Sequence, residues 1–391
     1  MSIKARSKVI AQGALTNSKH PDRFCQYVPS HITGGYREYL YDTENNKYID
    51  FVCGLGSCHF GYGHEKIVRE VVKYICHGSS HSLPTVWEVS AAEKLQEIFP
   101  FVERVKWVND GSSACTAAVE IARAYTDRKW IMSEGYHGWH PEMINPVAYK
   151  IHPNQYHITN HDNILGCDLS TTACIIIEPV QTVIDENRIN WLKALRQKCT
   201  EEGALLIYDE VITGLRYPKF GVCNHFGVKP DILLLGKAMA NGDKIAAVCG
   251  KKEWMDGDYF VSGTYHGHMP SLVAAHTCMH LAKHDSEFDL VHLNNESLRF
   301  VEELNALADG IFSVEAWGCR GAFKGDYHTF HQEMAKAKYL FGPSLFFNFA
   351  NVKYVDEVLG MADMVIKRIK DGKASFEGNL PTPAFSQRSR S

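Results

Sequence analysis

Nowhere in the 391 residues is there an apolar run of the about 18 residues that a spanning helix needs, so no membrane segment is expected. The opening stretch MSIKARSKVIAQGALTNSKHPDRF has no continuous apolar core, so no signal peptide is read and a cytoplasmic protein is expected. Basic charge is not in excess. The 41 Lys and Arg are balanced by 45 Asp and Glu, and the net charge of −4 offers no basic face to nucleic acid or to an anionic membrane. The twelve cysteines form no CxxC pair and no regular framework, which points to reduced thiols. Cys53, Cys58 and His59 cluster, but a zinc site needs two further converging ligands, and no metal is expected. No GxGxxG follows the first strand of the α/β region, which removes a dinucleotide-binding Rossmann domain. Repeats and low-complexity segments are absent too.

What is present is an ordinary globular composition, 45% apolar and 22% charged, in a chain long enough for one large domain and a smaller one. Residues 1–35 carry no strong period. REYLYDTENNKYIDF predicts a hairpin. Residues 64–98 repeat apolar positions at i, i+3 and i+4, as helices do. From about 104 to 250, short β-rich runs alternate with helical ones. ACIII and ALLIY are wholly apolar, as in a parallel sheet covered on both faces. A helix is expected at about 271–284. In the remaining α+β region YLFGPSLFFNF is the most strand-like piece, and the tail NLPTPAFSQRSRS is expected to be mobile. The division predicted is an N-terminal segment, 1–63, contributing to the small domain and the site entrance, a large domain, 64–284, and a shortened C-terminal small domain, 285–391.

In such sheets, ligands collect at the carboxyl ends of the strands. Lys237 follows DILLLG, Asp209 and Glu210 follow ALLIY, Glu178 follows ACIII, and Asn109, Asp110, Gly111 and Ser112 follow RVKWV just before a helix. Singly, each has a plain explanation as a snorkelling lysine, a turn or a helix cap. Together they suit one chemistry. A desolvated amine attacks an aldehyde. A carboxylate beside a pyridine nitrogen keeps it protonated. A helix N-terminus with a hydroxyl binds phosphate. Aldehyde, pyridine and phosphate are the handles of pyridoxal phosphate (PLP), with Lys237 as the lysine that bonds it.

Four blocks carry a family resemblance. Along the chain they are VNDGSSACTAAVEIARAYT, EGYHGWH, LLIYDEVITGLRYPKFGVCNHFGVKPDILLLGKAMANG and SGTYHGHMPSLVAA, within about residues 35–370, the third being the most specific. They resemble the class III aminotransferases of PLP fold type I, most nearly the glutamate-1-semialdehyde aminomutase branch. The resemblance implies an α/β fold with a large, mainly parallel-sheet domain and a smaller α+β domain. It implies that Asp209 pairs with the pyridinium, and that Val211 and Tyr136 cover the two ring faces. His137 and Gly138 would shape a turn, while Gly111 and Ser112 would bind the phosphate. Thr264 would reach a phosphate of the neighbouring subunit, which makes a homodimer with shared sites the implied assembly. Glu178 would lie near the cofactor's O3′ and the substrate or act as a structural acceptor. Plain core packing remains open for Tyr136. Arg216 would be an ion-pairing or a substrate residue.

Departures from the family pattern bear on substrate. NDGSSA replaces NSGTEA, placing Asp110 next to the phosphate turn and Ser113 where the family has an acid. NGDKIAA replaces GGLPVGA, and YHGH replaces LSGN. VPSHITGG offers Ser30 and His31 but no arginine for a substrate carboxylate, and PSLFF has Phe347 in place of an acid. Glutamate semialdehyde is therefore not the expected substrate. A shortened C-terminal region favours a bulkier, sugar-, nucleotide- or carrier-linked one, with His31, Trp139, His140, His266 and His268 as lining candidates. The expected activity is transamination between a small-molecule amine donor and a carbonyl acceptor. An amino shift or a decarboxylation on the same scaffold is the alternative, and a non-enzymatic PLP-fold protein is disfavoured by the intact Lys237, Asp209 and Thr264.

Overall fold

A computed structural model describes residues 8–143, 155–157 and 164–383. The last eight residues of the tail expected to be mobile lie outside the described residues. The chain forms two compact units, one of Met1–His64 with Val291–Ser391, the other of Glu65–Leu290.

The central unit is organised around a seven-stranded sheet. Its strands are β4 (Arg104–Val108), β5 (Trp130–Glu134), β6 (Gln155–His157), β7 (Thr172–Ile177), β8 (Leu205–Asp209), β9 (Ile232–Leu235) and β10 (Ala246–Gly250), in the order β4-β10-β9-β8-β7-β5-β6. β5 to β9 pair in parallel, and β10 runs antiparallel to both β9 and β4, so β4 points the same way as β9. Every residue of β7, β8, β9 and β10 is buried, which is why these strands read as unbroken apolar runs rather than alternating ones.

Helices cover the sheet. α1 (Glu65–Ile75) and α2 (Val86–Ile98) pack on α5 (Met269–His284), and α3 (Gly111–Thr126) packs on β7, β9 and β10. α4 (Glu186–Glu202) packs on β8. The sheet-facing side of α3 is made of Ala114, Cys115, Ala117, Ala118, Val119, Ile121 and Ala122, mostly small residues that let the helix axis approach the strands. α2 begins where the Thr85 N–H donates to Glu88 Oε1 at 2.8 Å, half of a capping box.

The second unit holds two small sheets. One orders as β1 (Ile32–Tyr36), β2 (Tyr39–Asp42), β3 (Lys47–Asp50) and β13 (Tyr339–Leu340); the other is β11 (Phe312–Trp317), β12 (Arg320–Gly325) and β14 (Ser344–Phe346). Helices α6 (Leu290–Ala308), α7 (His328–Lys336) and α8 (Val355–Lys370) complete it.

The β2–β3 hairpin is the predicted one. Two expectations need correction. YLFGPSLFFNF supplies only the short β13 and β14, while the longest strands of this unit are β11 and β12, joined by a tight turn at Gly318 with φ +54°. Their outward positions are polar, so their apolar content is diluted. Within the stretch read as patternless, ITGGY forms β1. All five of its residues are exposed, and it is held by backbone pairing to β2 with no apolar face to announce it.

Candidate active site

Because β4, β5, β7, β8 and β9 share one direction, their carboxyl ends line one edge of the sheet. Asp110, the Gly135–Gly138 turn, Glu178, Asp209 and Lys237 all follow or end these strands, as the sequence predicts. Asp209 and Lys237 stand on neighbouring strands, since β8 and β9 pair directly with Asp209 opposite Leu234.

Lys237 is half-buried and adopts φ +47°, a left-handed backbone that non-glycine residues avoid. Strain of this kind, about 1–3 kcal/mol, persists where surrounding structure imposes it and concentrates at functional positions. Gly236 before it is in contact with Val211. A Cβ added at Gly236 would sit 3.3 Å from Val211 Cγ1, and one added at Gly111 would sit 3.1 Å from the same methyl. Val211 therefore links the lysine strand to the start of α3, the place expected for phosphate.

That helix start is prepared. Asp110 folds its carboxylate onto the first turn, accepting from Ser113 N–H at 2.9 Å and Ser113 Oγ–H at 3.2 Å. The departure to Asp110 is thus used as an N-cap, and Ser113, standing where the family has an acid, is its partner. Ser112 lies against the 135–138 turn. Gly138 has φ +98°, and a Cβ there would fall 2.3 Å from Ser112 Oγ, so only glycine fits.

Asp209 gathers three donors. Val211 N–H donates to Oδ1 at 3.1 Å, and His137 Nδ1 (2.8 Å) and the Cys115 thiol (3.4 Å) both meet Oδ2. His137 is buried, and its other nitrogen, Nε2, lies 2.9 Å from the Glu134 carbonyl. Both ring nitrogens face oxygens that can only accept, so the geometry calls for the doubly protonated imidazolium. Burial pulls His137 down, but the hydrogen bond and charge of Asp209 outweigh it and its affinity for a proton is raised overall. Burial, reinforced by the Asp209 charge, pushes the Cys115 thiol well up and keeps it a neutral donor. These three groups have ligand atoms within 4.8 Å of one another, spacing a metal could use. In the structure the imidazole and the thiol both turn to Asp209, and the trio forms a hydrogen-bonded network around that carboxylate.

Glu178 accepts from the Tyr136 N–H at 2.9 Å, and a Cβ at Gly135 would meet its Oε1 at 2.6 Å. This bond fixes the turn that presents Tyr136, which is half exposed. Glu210 points inward. It accepts from Val222 N–H, Cys223 N–H and Thr213 Oγ–H at 2.7–2.9 Å, and burial raises its pKa, so it braces the following loop. Arg216 is fully buried and donates Nε–H to Ile212 O at 2.5 Å, an interior position.

The remaining candidates scatter. Thr264 is exposed in the turn before α5. His266 lies within electrostatic reach of Lys106 and Asp110, so it stands near the phosphate turn, and burial followed by the Lys106 charge lowers its pKa. Trp139 is exposed, edge-on to His140, whose Nδ1 pairs with Thr116 Oγ1 at 2.9 Å. His268 Nδ1 pairs with Ser271 Oγ at 2.9 Å at the start of α5. His140 and His268 are thus engaged locally. Ser30 Oγ lies 3.0 Å from His31 Nδ1 in the other unit. Cys115 is not among the residues the sequence singles out, and His137 is expected in the turn and in the cofactor-binding set but not as the partner of Asp209. The signal for Cys115 is its place one turn into α3, on the helix face that meets the ends of β8 and β9.

Comparison with known proteins follows the same line. The family description Aminotransferase class-III matches residues 25–145 and 162–324. Glutamate-1-semialdehyde 2,1-aminomutase of Fusobacterium nucleatum is 34% identical over 61% of this chain and 60% of its own length. 3-Aminobutyryl-CoA aminotransferase of Cloacimonas acidaminovorans is 31% identical over 74% of both chains. Among solved structures, an omega-transaminase from Sphaerobacter thermophilus superposes with a TM-score of 0.83 over 94% of this chain and 97% of its own, at 19% identity, which speaks to the fold.

Proposed function

The chain belongs to the class III aminotransferases, and from that premise we propose a PLP-dependent aminotransferase whose working groups are Lys237, Asp209 and the start of α3. One observation carries the assignment: a lysine held in left-handed backbone beside a carboxylate that accepts from an imidazolium, on adjacent strand ends of one sheet.

The residues fit the cofactor. Gly111 and Ser112, at the N-terminus of α3 that Asp110 caps through Ser113, would bind the phosphate. Asp209 accepts the pyridinium N–H, and His137 and Cys115 orient its carboxylate. Val211 and Tyr136 flank the ring. When bound, the cofactor supplies an electron sink for a substrate carbon joined through nitrogen to its aldehyde carbon. Lys237 Nζ would hold the aldehyde end of the cofactor and would serve as the base that takes up and returns the substrate's proton.

For substrate, the lack of an arginine near Ser30 and His31 speaks against a small free carboxylate as the recognised group. A carrier-linked amine or carbonyl fits better, and one relative is named for a coenzyme A-linked substrate. Trp139 and His266 are proposed as substrate contacts of the central unit, and Ser30 and His31 are proposed as substrate contacts on the sequence resemblance alone. An intramolecular amino shift remains the second reading, because another relative is named an aminomutase. The twelve cysteines, none of them in a disulfide, favour a reducing compartment, and so a cytoplasmic enzyme.

The test is spectroscopic. Purified protein should carry the visible absorbance of bound cofactor, lost or shifted in Lys237→Ala. An amino donor alone should discharge that band, and a carbonyl acceptor should restore it with transfer of the amino group. Product formed from a single compound with no acceptor would select the amino shift. Carbon dioxide release would select decarboxylation, and absence of the band after reconstitution would overturn the cofactor assignment.

A further inference from the structure

Helix α5 is buried along most of its length. Ser271–Ala275, Thr277–Met279, Leu281 and Ala282 all face the interior. The strip left toward solvent is occupied at i, i+4 and i+8 by His276, His280 and His284. The rings form a ladder, with centroids 6.4 Å apart between His276 and His280 and 5.0 Å apart between His280 and His284. From the neighbouring helix α2, Glu97 Oε1 comes within 2.7 Å of His284 Nε2.

We propose that His280, His284 and Glu97, with His276 as a further imidazole, form a surface site for a divalent transition-metal ion of the Ni2+ and Zn2+ class. Two histidines four apart on one helix face are the spacing by which helices chelate zinc. Imidazole with a carboxylate suits Zn, Ni and Cu rather than Mg or Ca. Glu97 reaches His284 from the neighbouring helix, and a rotamer change at His280 would bring its ring nitrogen to the same ion. His284 ends α5, where the helix dipole favours positive charge.

The charged groups facing the ladder are Lys94 and Glu97 on α2, Glu70 on α1, and Asp285 just past α5. Lys94 also pairs with Glu97 at 2.6 Å, and it would have to swing aside. Bound metal would clamp α5 to α2. None of these residues belongs to the cofactor edge, so the site stands apart from catalysis.

The experiment uses tag-free holoenzyme, dialysed against chelator, and Ni2+ as probe. Calorimetry should find one tight ion per chain. Fluorescence should be quenched through Trp87, whose ring lies 5.4 Å from His276. The melting temperature should rise with Ni2+, as binding to the native state alone requires. His280→Ala/His284→Ala should weaken binding at least about tenfold, since even outer-shell partners of a metal are worth that much. It should also abolish the shift in melting temperature and leave metal-free transaminase turnover unchanged. Glu97→Gln, a milder change that preserves volume, should weaken binding in the same direction. Equal Ni2+ isotherms for wild type and both variants, or no binding by the folded wild type, would overturn the proposal.

Discussion

At the scale of single residues, the site depends on one carboxylate being held in place from behind. Asp209 and His137 are both buried, so removing one leaves the other unpaired in a low dielectric, a loss of about 3–5 kcal/mol. His137→Asn should be the more informative substitution, because it retains a donor while removing the charge. We expect the variant to fold, to bind PLP more weakly and to show a lower kcat with an altered pH profile. A merely structural His137 would lower the melting temperature and leave the pH profile of kcat in place. Cys115→Ser should have a small effect, since a hydroxyl can replace the thiol as donor. The sequence displayed Lys237 and Asp209 because each interrupts an apolar run with a charge. It did not display the His137–Asp209 pair, because 72 residues separate them and only the β5–β7–β8 pairing brings them together.

At the scale of elements, legibility followed burial. β7, β8 and β9 were evident because both faces are covered, and α3 because its small-residue face repeats at helical spacing. β1 and the β11–β12 hairpin were not, since their pairing rests on backbone bonds, while all of β1 and the alternate positions of β11 meet water. α7 carries a consequence of its own. His331 is packed edge-on to Phe323 at 4.4 Å and against Phe341, and its Nε2 has no hydrogen-bond partner among the described residues. Burial, aided by the His328 charge, pushes its pKa down to about 3. The unfolded chain binds this proton below about pH 6.5 and the folded one does not, so the contribution is full above that value. It is lost progressively as pH falls toward 3, and it amounts to a few kcal/mol in order of magnitude. Urea midpoints measured from pH 7 to pH 4 should fall less steeply for His331→Phe than for wild type. Parallel curves would show that the imidazole is not the titrating group.

At the scale of the whole molecule, the cofactor edge has a candidate residue, Thr264, that a single chain leaves in an exposed turn. Around that turn apolar side chains stand open: Phe260 at 90%, Tyr265 at 57%, and Leu83, Val86 and Val89 on the adjoining segment. The two segments touch, since the Met269 N–H donates to Ser79 O at 3.0 Å and a Cβ at Gly267 would lie 3.3 Å from Glu88 Oε1. Large apolar groups gathered in this way are what a partner surface covers. A twofold homodimer is the proposed occupant, with Thr264 of each chain serving the other chain's phosphate. The proposal has a sharp test by subunit exchange. Lys237→Ala and Thr264→Ala homodimers should each be inactive or nearly so. Unfolded together and refolded at equal amounts, half of the dimers should be hybrids. In a hybrid, one site holds both defects and the other holds none, so the mixture should recover about a quarter of wild-type turnover. Thr264 acting within its own chain would leave every site of every hybrid with one defect, and mixing would restore nothing. The return of activity therefore reports on the assembly itself, independently of which donor and acceptor the enzyme uses.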